Sequence, residues 1–301
     1  YVPDDNFEAY LEANGMGDGI ANNDSVLTAN VSSVSGLDLM GSEDGFGGFL
    51  PGITDLTGIE DFASLVSLHC QMNQITTIDL SQNTMLQQLQ CRYNQISSLN
   101  ISNCTQLYSI DIGDNQLSSL NTSNLSLLRG LLCDNNQLIS LDLTNNTILK
   151  TLDCSNNNLT TLDLTNNTLL EDLNCSNNQL QSLDVTNNTN LESISCSNNL
   201  ITSLNLINNH NLENGLSCDH NQLNNLLISD SIVFLKELNC SHNFIDSVNF
   251  TRFGRSNEII VQIFDIGNNS LNSFQLGRFI ANVIKCDSNQ LTNLDLRVDP
   301  S

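Results

Sequence analysis

Residues 149–169 read Leu149-Lys150-Thr151-Leu152-Asp153-Cys154-Ser155-Asn156-Asn157-Asn158-Leu159-Thr160-Thr161-Leu162-Asp163-Leu164-Thr165-Asn166-Asn167-Thr168-Leu169. A second copy runs from Leu170 to Leu191, and the two share the letters L-x-x-L-D/N-C-S-N-N-x-L-x-x-L-D-L/V-T-N-N-T. The register extends both ways along the chain. Cys70, Cys91, Cys133, Cys154, Cys175, Cys196, Cys218, Cys240 and Cys286 follow one another in steps of 21, 42, 21, 21, 21, 22, 22 and 46 residues. Ile112 and Ile266 stand where the two long steps skip a cysteine. Three residues after every one of these positions is an asparagine: Asn73, Asn94, Asn115, Asn136, Asn157, Asn178, Asn199, Asn221, Asn243, Asn269 and Asn289. A fixed period of this length marks a repeat architecture, so the cysteines belong to a repeat and not to a disulfide pattern.

Within each turn, Leu152 and Cys154 alternate with Thr151, Asp153 and Ser155. Period-2 alternation describes a short strand with Leu152 and Cys154 inward and the others outward. Strands from successive turns are expected to pair in parallel. The asparagine at the following turn is read as a buried amide that satisfies backbone groups left unpaired where the chain bends. The second half of the turn, Leu159 to Asn167, nearly copies the first, which leaves no room for a long outer helix. Short extended or 3₁₀ segments are expected there.

The pattern resembles the leucine-rich repeat family, whose signature is L-x-x-L-x-L-x-x-N/C-x-L. The resemblance covers about Ile53 to Leu296, and its double form resembles the bacterial 21-residue subclass typical of secreted Bacteroidetes proteins. It implies a solenoid with a parallel β-sheet on one face, short extended or 3₁₀ segments on the other, and about eleven repeats over residues 53–296. Residues 1–52 are expected to form an N-terminal cap: a helix opened by Pro3-Asp4-Asp5-Asn6 and stopped by Asn14-Gly15, a degenerate repeat, and a glycine-rich loop. Residues 297–301 read as a truncated end, with the native chain expected to continue past Ser301.

Composition narrows the function. There are 33 acidic and 9 basic residues among 301, a formal net charge of −24. Such a chain repels nucleic acid and anionic lipid. No apolar run reaches the 18 residues of a membrane span. The sequence has no G-x-S-x-G, H-E-x-x-H, P-loop or G-x-G-x-x-G motif in a suitable context, so no enzyme is expected. The thiols read as packed and free, because a straight ladder neither meets disulfide geometry nor converges on a tetrahedral metal. Cys104 lies outside the ladder, where Asn83 stands in another turn, and reads as a lone, partly buried thiol. His220 and His242 share a repeat position beside Asp219; zinc is one reading, two exposed side chains filling an asparagine slot the other. Met16 to Asp24 offers oxygens for Ca²⁺ around Asp18–Asp24 but lacks EF-hand spacing. No cofactor is assigned.

Repeat scaffolds use their strand face for binding. The expected function is therefore a non-enzymatic secreted or cell-surface interaction module that takes a protein partner through its polar, acidic strand face. Candidate contact residues are His69, Gln90, Arg92, Tyr93, Asp111, Asp134, Asp153 and Asp172, with Arg252, Phe253 and Arg255 in an irregular late turn. The alternatives are a stalk or passenger segment of a larger type IX-secreted surface protein, and a glycan-binding module, although the face lacks stacked aromatics. Ser25, Ser231 and Ser247 lie in Asp-Ser-aliphatic triplets that resemble the O-glycosylation sequon of Bacteroidetes extracytoplasmic proteins.

Overall fold

In the computed structural model the Leu-x-Cys triplets build one short strand per turn. Residues 1–41, 52–229, 232, 234–247, 259–277 and 279–298 are described below. The chain divides into two compact units, Tyr1–Leu149 and Lys150–Ser301.

In the first unit, strands β1 (Gly36–Asp38), β2 (Ser67–His69), β4 (Gln88–Gln90), β6 (Ser109–Asp111) and β7 (Gly130–Leu132) lie side by side in that order. All pairs are parallel, and the register aligns Leu37, Leu68, Leu89, Ile110 and Leu131. On the opposite side, β3 (Thr77–Asp79) pairs in parallel with β5 (Ser98–Asn100). The inward side chains, including Leu68, Cys70, Leu89 and Cys91, are fully buried. Each such leucine stabilises the stack by about 1.5–3 kcal/mol.

The unit begins with helix α1 (Asp5–Ala13). Asp4 is its N-cap, accepting from the N–H groups of Asn6 and Phe7. Its other oxygen accepts from Thr54 and Asp55, so one carboxylate ties the helix to the start of the repeats. Burial disfavours that charge, but these hydrogen bonds outweigh it and hold the Asp4 pKa below its ordinary value. Phe7 and Leu11 are buried, and the Phe7 ring stacks 6.3 Å from Phe62. Asn14 ends the helix, followed by Gly15 at φ +72°. Helix α2 (Thr28–Val31) is a single turn.

In the second unit the order is β8 (Thr151–Asp153), β9 (Asp172–Asn174), β10 (Ser193–Ser195), β12 (Gly215–Ser217), β14 (Phe234–Asn239), β15 (Ile259–Asp265) and β17 (Phe279–Lys285). Opposite these, β11 (Ser203–Leu206) pairs with β13 (Asn225–Ile228), and β16 (Ser273–Gly277) with β18 (Asn293–Val298). The sides away from the main strands are thus extended. The one 3₁₀ turn among the described residues is Ile59–Asp61.

Each turn leaves its strand through a residue in the left-handed region. Met72, Tyr93, Asp114, Asn135, Asn156, Asn177, Asn198, His220, His242, Asn268 and Ser288 all have φ between 51° and 58°. The next residue in every turn is the repeat asparagine.

Candidate functional site

The strand face rests on the asparagine ladder. Asn199 is representative: its Nδ2 donates to the carbonyls of Cys175, Cys196 and Ser197, and its Oδ1 accepts the Leu180 N–H at 2.9 Å. Two of those partners belong to the preceding turn. Asn73, Asn94, Asn115, Asn136, Asn178, Asn221, Asn243, Asn269 and Asn289 repeat the arrangement, each accepting a backbone N–H from the turn before. Asn157 donates to Cys154 and Ser155. Each amide therefore closes its own turn and bolts it to its neighbour.

A second amide ladder runs through the other half of the turn. Asn83, Asn146, Asn188 and Asn209 are fully buried and donate to pairs of carbonyls from the preceding turn. Cys104 is part of it. The expected lone, partly buried thiol is fully buried, and its Sγ–H donates to the carbonyls of Leu80 and Asn83. A thiol takes the amide's place in that turn, and buried Leu125 fills the same slot in the next.

Arg92 is the centre of the strand face in the first unit, and it does not stand free. Its Nε donates to Asp111 Oδ1 at 3.0 Å, and its two terminal nitrogens reach Asp114 and both oxygens of Asp134. Burial opposes the arginine's charge, but Asp134 and Asp111 outweigh it and raise its pKa above the ordinary value. Asp114 is shifted up as well. Desolvation dominates there, and Asp134 and Asp111 compete with it for the same cation. Gly113 makes the arrangement possible: a Cβ there would overlap the guanidinium and lie 2.7 Å from Asp134 Oδ1. Asp134 follows β7 and does not lie in it, and it is only 6% exposed. Tyr93 is 42% exposed, with the Arg92 guanidinium 5.7 Å from its ring.

His69 lies on the same face, its Nε2 3.2 Å from Ser67 Oγ, and Gln90 Oε1 accepts from Gln71. In the second unit the Asp153 carboxylate is taken up locally. Its Oδ1 accepts from Ser155 and its Oδ2 from Asn174. Asp172 is exposed on β9. His220 and His242 stack with ring centroids 4.1 Å apart, and Asp219 holds His220 Nδ1 at 2.8 Å.

Ten cysteines are free thiols, nine of them buried and Cys286 half-buried. Burial pushes the Cys196 thiol up to about 12 and Cys104 to about 11. Asp18 in the expected Ca²⁺ stretch accepts from the Ile20 N–H, Asn23 and Ser25. The acids drawn together nearby are Asp5, Glu8 and Asp24. Glu8 is buried and accepts the Asn23 and Asp24 N–H groups. Ser25 Oγ points at Asp18 and Ser247 Oγ donates to Asp246. Ser231, Arg252, Phe253 and Arg255 lie outside the described residues. No helix among the described residues is long and apolar enough to cross a membrane.

The chain has a leucine-rich repeat fold, and its architecture is similar to that of internalins. The functional domain of InlJ from Listeria monocytogenes, which includes a cysteine ladder, is similar at a TM-score of 0.80 and 28% identity over 98% of this chain and 69% of that one. An internalin, inlF, from the same organism has a TM-score of 0.75 and 20% identity over 98% of this chain and 96% of its own. A leucine-rich repeat protein from Bacteroides thetaiotaomicron shares the fold at a TM-score of 0.59 and 18% identity, over 80% of this chain and 34% of that one. No protein-family model and no curated protein matches the sequence.

Proposed function

We propose that the chain is a non-enzymatic interaction module that takes a protein partner on its strand face. The carrying observation is the contrast between the backbone and the face. Two amide ladders satisfy the turns from within, so the outward side chains are not needed for closure. In the first unit those side chains break the repeat, with His69, Gln90, Arg92 and exposed Tyr93 around the Asp111–Asp134 carboxylates. Tyrosine and arginine are the residue types enriched at binding hot spots. Arg92 acts here by orienting its three carboxylates, and Tyr93 offers the open ring. The net charge of −24 favours a basic partner. Export to the cell surface, in the manner of the 21-residue Bacteroidetes subclass and type IX secretion, is the finer form of the same reading, and it includes use of Ser25 or Ser247 for glycan attachment.

The test is a pull-down from outer-membrane and secreted fractions with residues 1–301 as bait, at low and high salt. A specific partner lost at high salt, and lost again with Tyr93→Ala, supports the reading, because exposed charges are screened beyond about 3 Å at 1 M. Absence of any partner refutes it in favour of a stalk. The uniform turns around Asp153, Asn174 and Ser195 favour that second reading, since neighbours already occupy the Asp153 carboxylate.

A further inference from the structure

The two turns in which isoleucine replaces the ladder cysteine share a second peculiarity. Each continues with glycine, Ile112-Gly113 and Ile266-Gly267. Each glycine follows a strand-end aspartate, Asp111 or Asp265, and each faces an aspartate of the next turn, Asp134 or Asp287. The Gly113 N–H donates to Asp111 Oδ1 at 3.3 Å, and the Gly267 N–H donates to Asp265 Oδ1 at 3.1 Å. A Cβ on Gly267 would lie 3.2 Å from Asp287 Oδ1 and 3.4 Å from Asp265 Oδ1, so both oxygens face the same point. The two frames differ in what lies over the glycine. In the first it is the Arg92 guanidinium, reaching from the preceding turn. In the second, the preceding turn carries Ser241 at that position, whose hydroxyl donates to Asn239.

We propose that the Asp265–Gly267–Asp287 frame is a seat for an arginine of a basic protein partner, held as Arg92 is held within the first unit. This deepens the protein-partner reading and rests on it. Three features of the second unit fit an incoming side chain. Asp287 Oδ1 has no hydrogen-bond partner among the described residues, whereas the equivalent Asp134 carboxylate takes both ends of a guanidinium fork. Lys285 contacts Asp265 through Oδ2 at 3.3 Å, which leaves Oδ1, the atom that in Asp111 receives Arg92 Nε. The seat also has an apolar flank. Ile263 and Val283 pair across β15 and β17 one step from the two strand ends, and they are 37% and 47% exposed. The same strand position in the other repeat turns carries Ser67, Gln88, Ser109, Gly130, Thr151, Asp172, Ser193, Gly215 or Glu237. An arginine beside an apolar side chain is the partner motif that fits both surfaces. Arginine is favoured over lysine because only the planar fork bridges two carboxylates with directed N–H groups.

The experiment follows the Asn268 amide, which donates to the Asp287 carbonyl at 2.9 Å, by NMR in the ¹⁵N-labelled 301-residue chain. The probes are N-acetyl-Gly-Arg-Gly-amide, its lysine counterpart and CaCl₂. The arginine peptide is expected to shift that amide saturably, with the lysine peptide about fivefold weaker. Gly267→Ala fills the seat at tolerable contact distances, and Asp287→Asn removes its charge. Each is expected to weaken the arginine peptide about fivefold or more while the other amides hold their positions. Ser241→Arg supplies the guanidinium from within, as Arg92 does, and is expected to abolish the response and raise the Tm. Equal responses to the two peptides, indifference to Gly267→Ala, or a response to Ca²⁺ without one to arginine would each overturn the proposal. A partner captured equally by the parent chain and Gly267→Ala sinks the seat alone. A peptide that binds here while no partner is captured sinks the broader reading.

Discussion

Replacing Asn199 with alanine isolates what one rung of the ladder contributes. The parent amide makes four contacts: one accepted from the Leu180 N–H at 2.9 Å and three donated, to Cys175, Cys196 and Ser197, at 3.0, 3.1 and 3.2 Å. Alanine leaves a buried N–H without an acceptor, at about 1–3 kcal/mol. The shared donor contacts add about 1 kcal/mol. The expected loss is about 2–4 kcal/mol, a drop in Tm of roughly 3–6 °C for a chain of this size. Solenoids unfold by neighbouring repeats, so a urea midpoint should be read beside hydrogen exchange at the Leu180 amide, which should lose protection first. Asn199→Asp sharpens the test. Its Oδ1 still serves Leu180, but its second oxygen faces three carbonyls, which raises the folded-state pKa of the new carboxyl above its unfolded value. The penalty is therefore complete above the folded pKa and shrinks as the pH falls through it, because the protonated group regains a donor. A midpoint change below about 0.5 kcal/mol for the alanine variant, or a pH-independent deficit for the aspartate variant, would refute this account of the ladder.

Gly113→Ala should destabilise by about 1–3 kcal/mol by driving a methyl into the Arg92 guanidinium, whereas Gly130→Ala, with open space at its Cβ, should change the calorimetric Tm little. Asp114→Asn should be neutral or slightly stabilising at pH 7, because the fold lifts that carboxyl above its ordinary value. The difference should fade as the pH falls through the raised pKa, and urea midpoints from pH 7 to 4 would expose a wrong sign. A thiol reagent should titrate one fast cysteine in the native chain, Cys286, and all ten after denaturation. Two or more fast thiols in the folded protein would contradict the buried ladder.

The repeat and its first amide ladder were legible because one residue type recurs at one offset, Asn157 three places after Cys154. The second ladder is written at the same offset, Asn167 three after Leu164, yet nothing in its N-N-T letters tells the buried asparagine from the exposed one before it. Cys104 was misjudged for the same reason: without the ladder, a thiol in an asparagine slot looks like a lapse. The Arg92 cluster was harder still. Its partners lie 19, 22 and 42 residues away, and only stacking three turns brings them together. Asp134 sits two residues beyond Leu132, the end of β7, and period-2 alternation along the strand does not place it against Arg92. Gly113, a residue with no side chain, carried no signal until the guanidinium above it was seen.

The row of left-handed residues bears on how such a chain can vary. Glycine or asparagine would occupy those backbone angles with less strain, and a non-glycine, non-asparagine residue there costs on the order of 1 kcal/mol. Six of the eleven turns do not use asparagine and carry Met72, Tyr93, Asp114, His220, His242 and Ser288 there. These are the letters by which one turn differs from the next. A consensus redesign that set every such position to asparagine would gain stability at Met72 and Tyr93 and produce a chain of near-identical rungs. Individuality along the repeats is thus kept where the backbone least favours it, and a search for heat-tolerant variants would erase the differences between turns before it disturbed the fold.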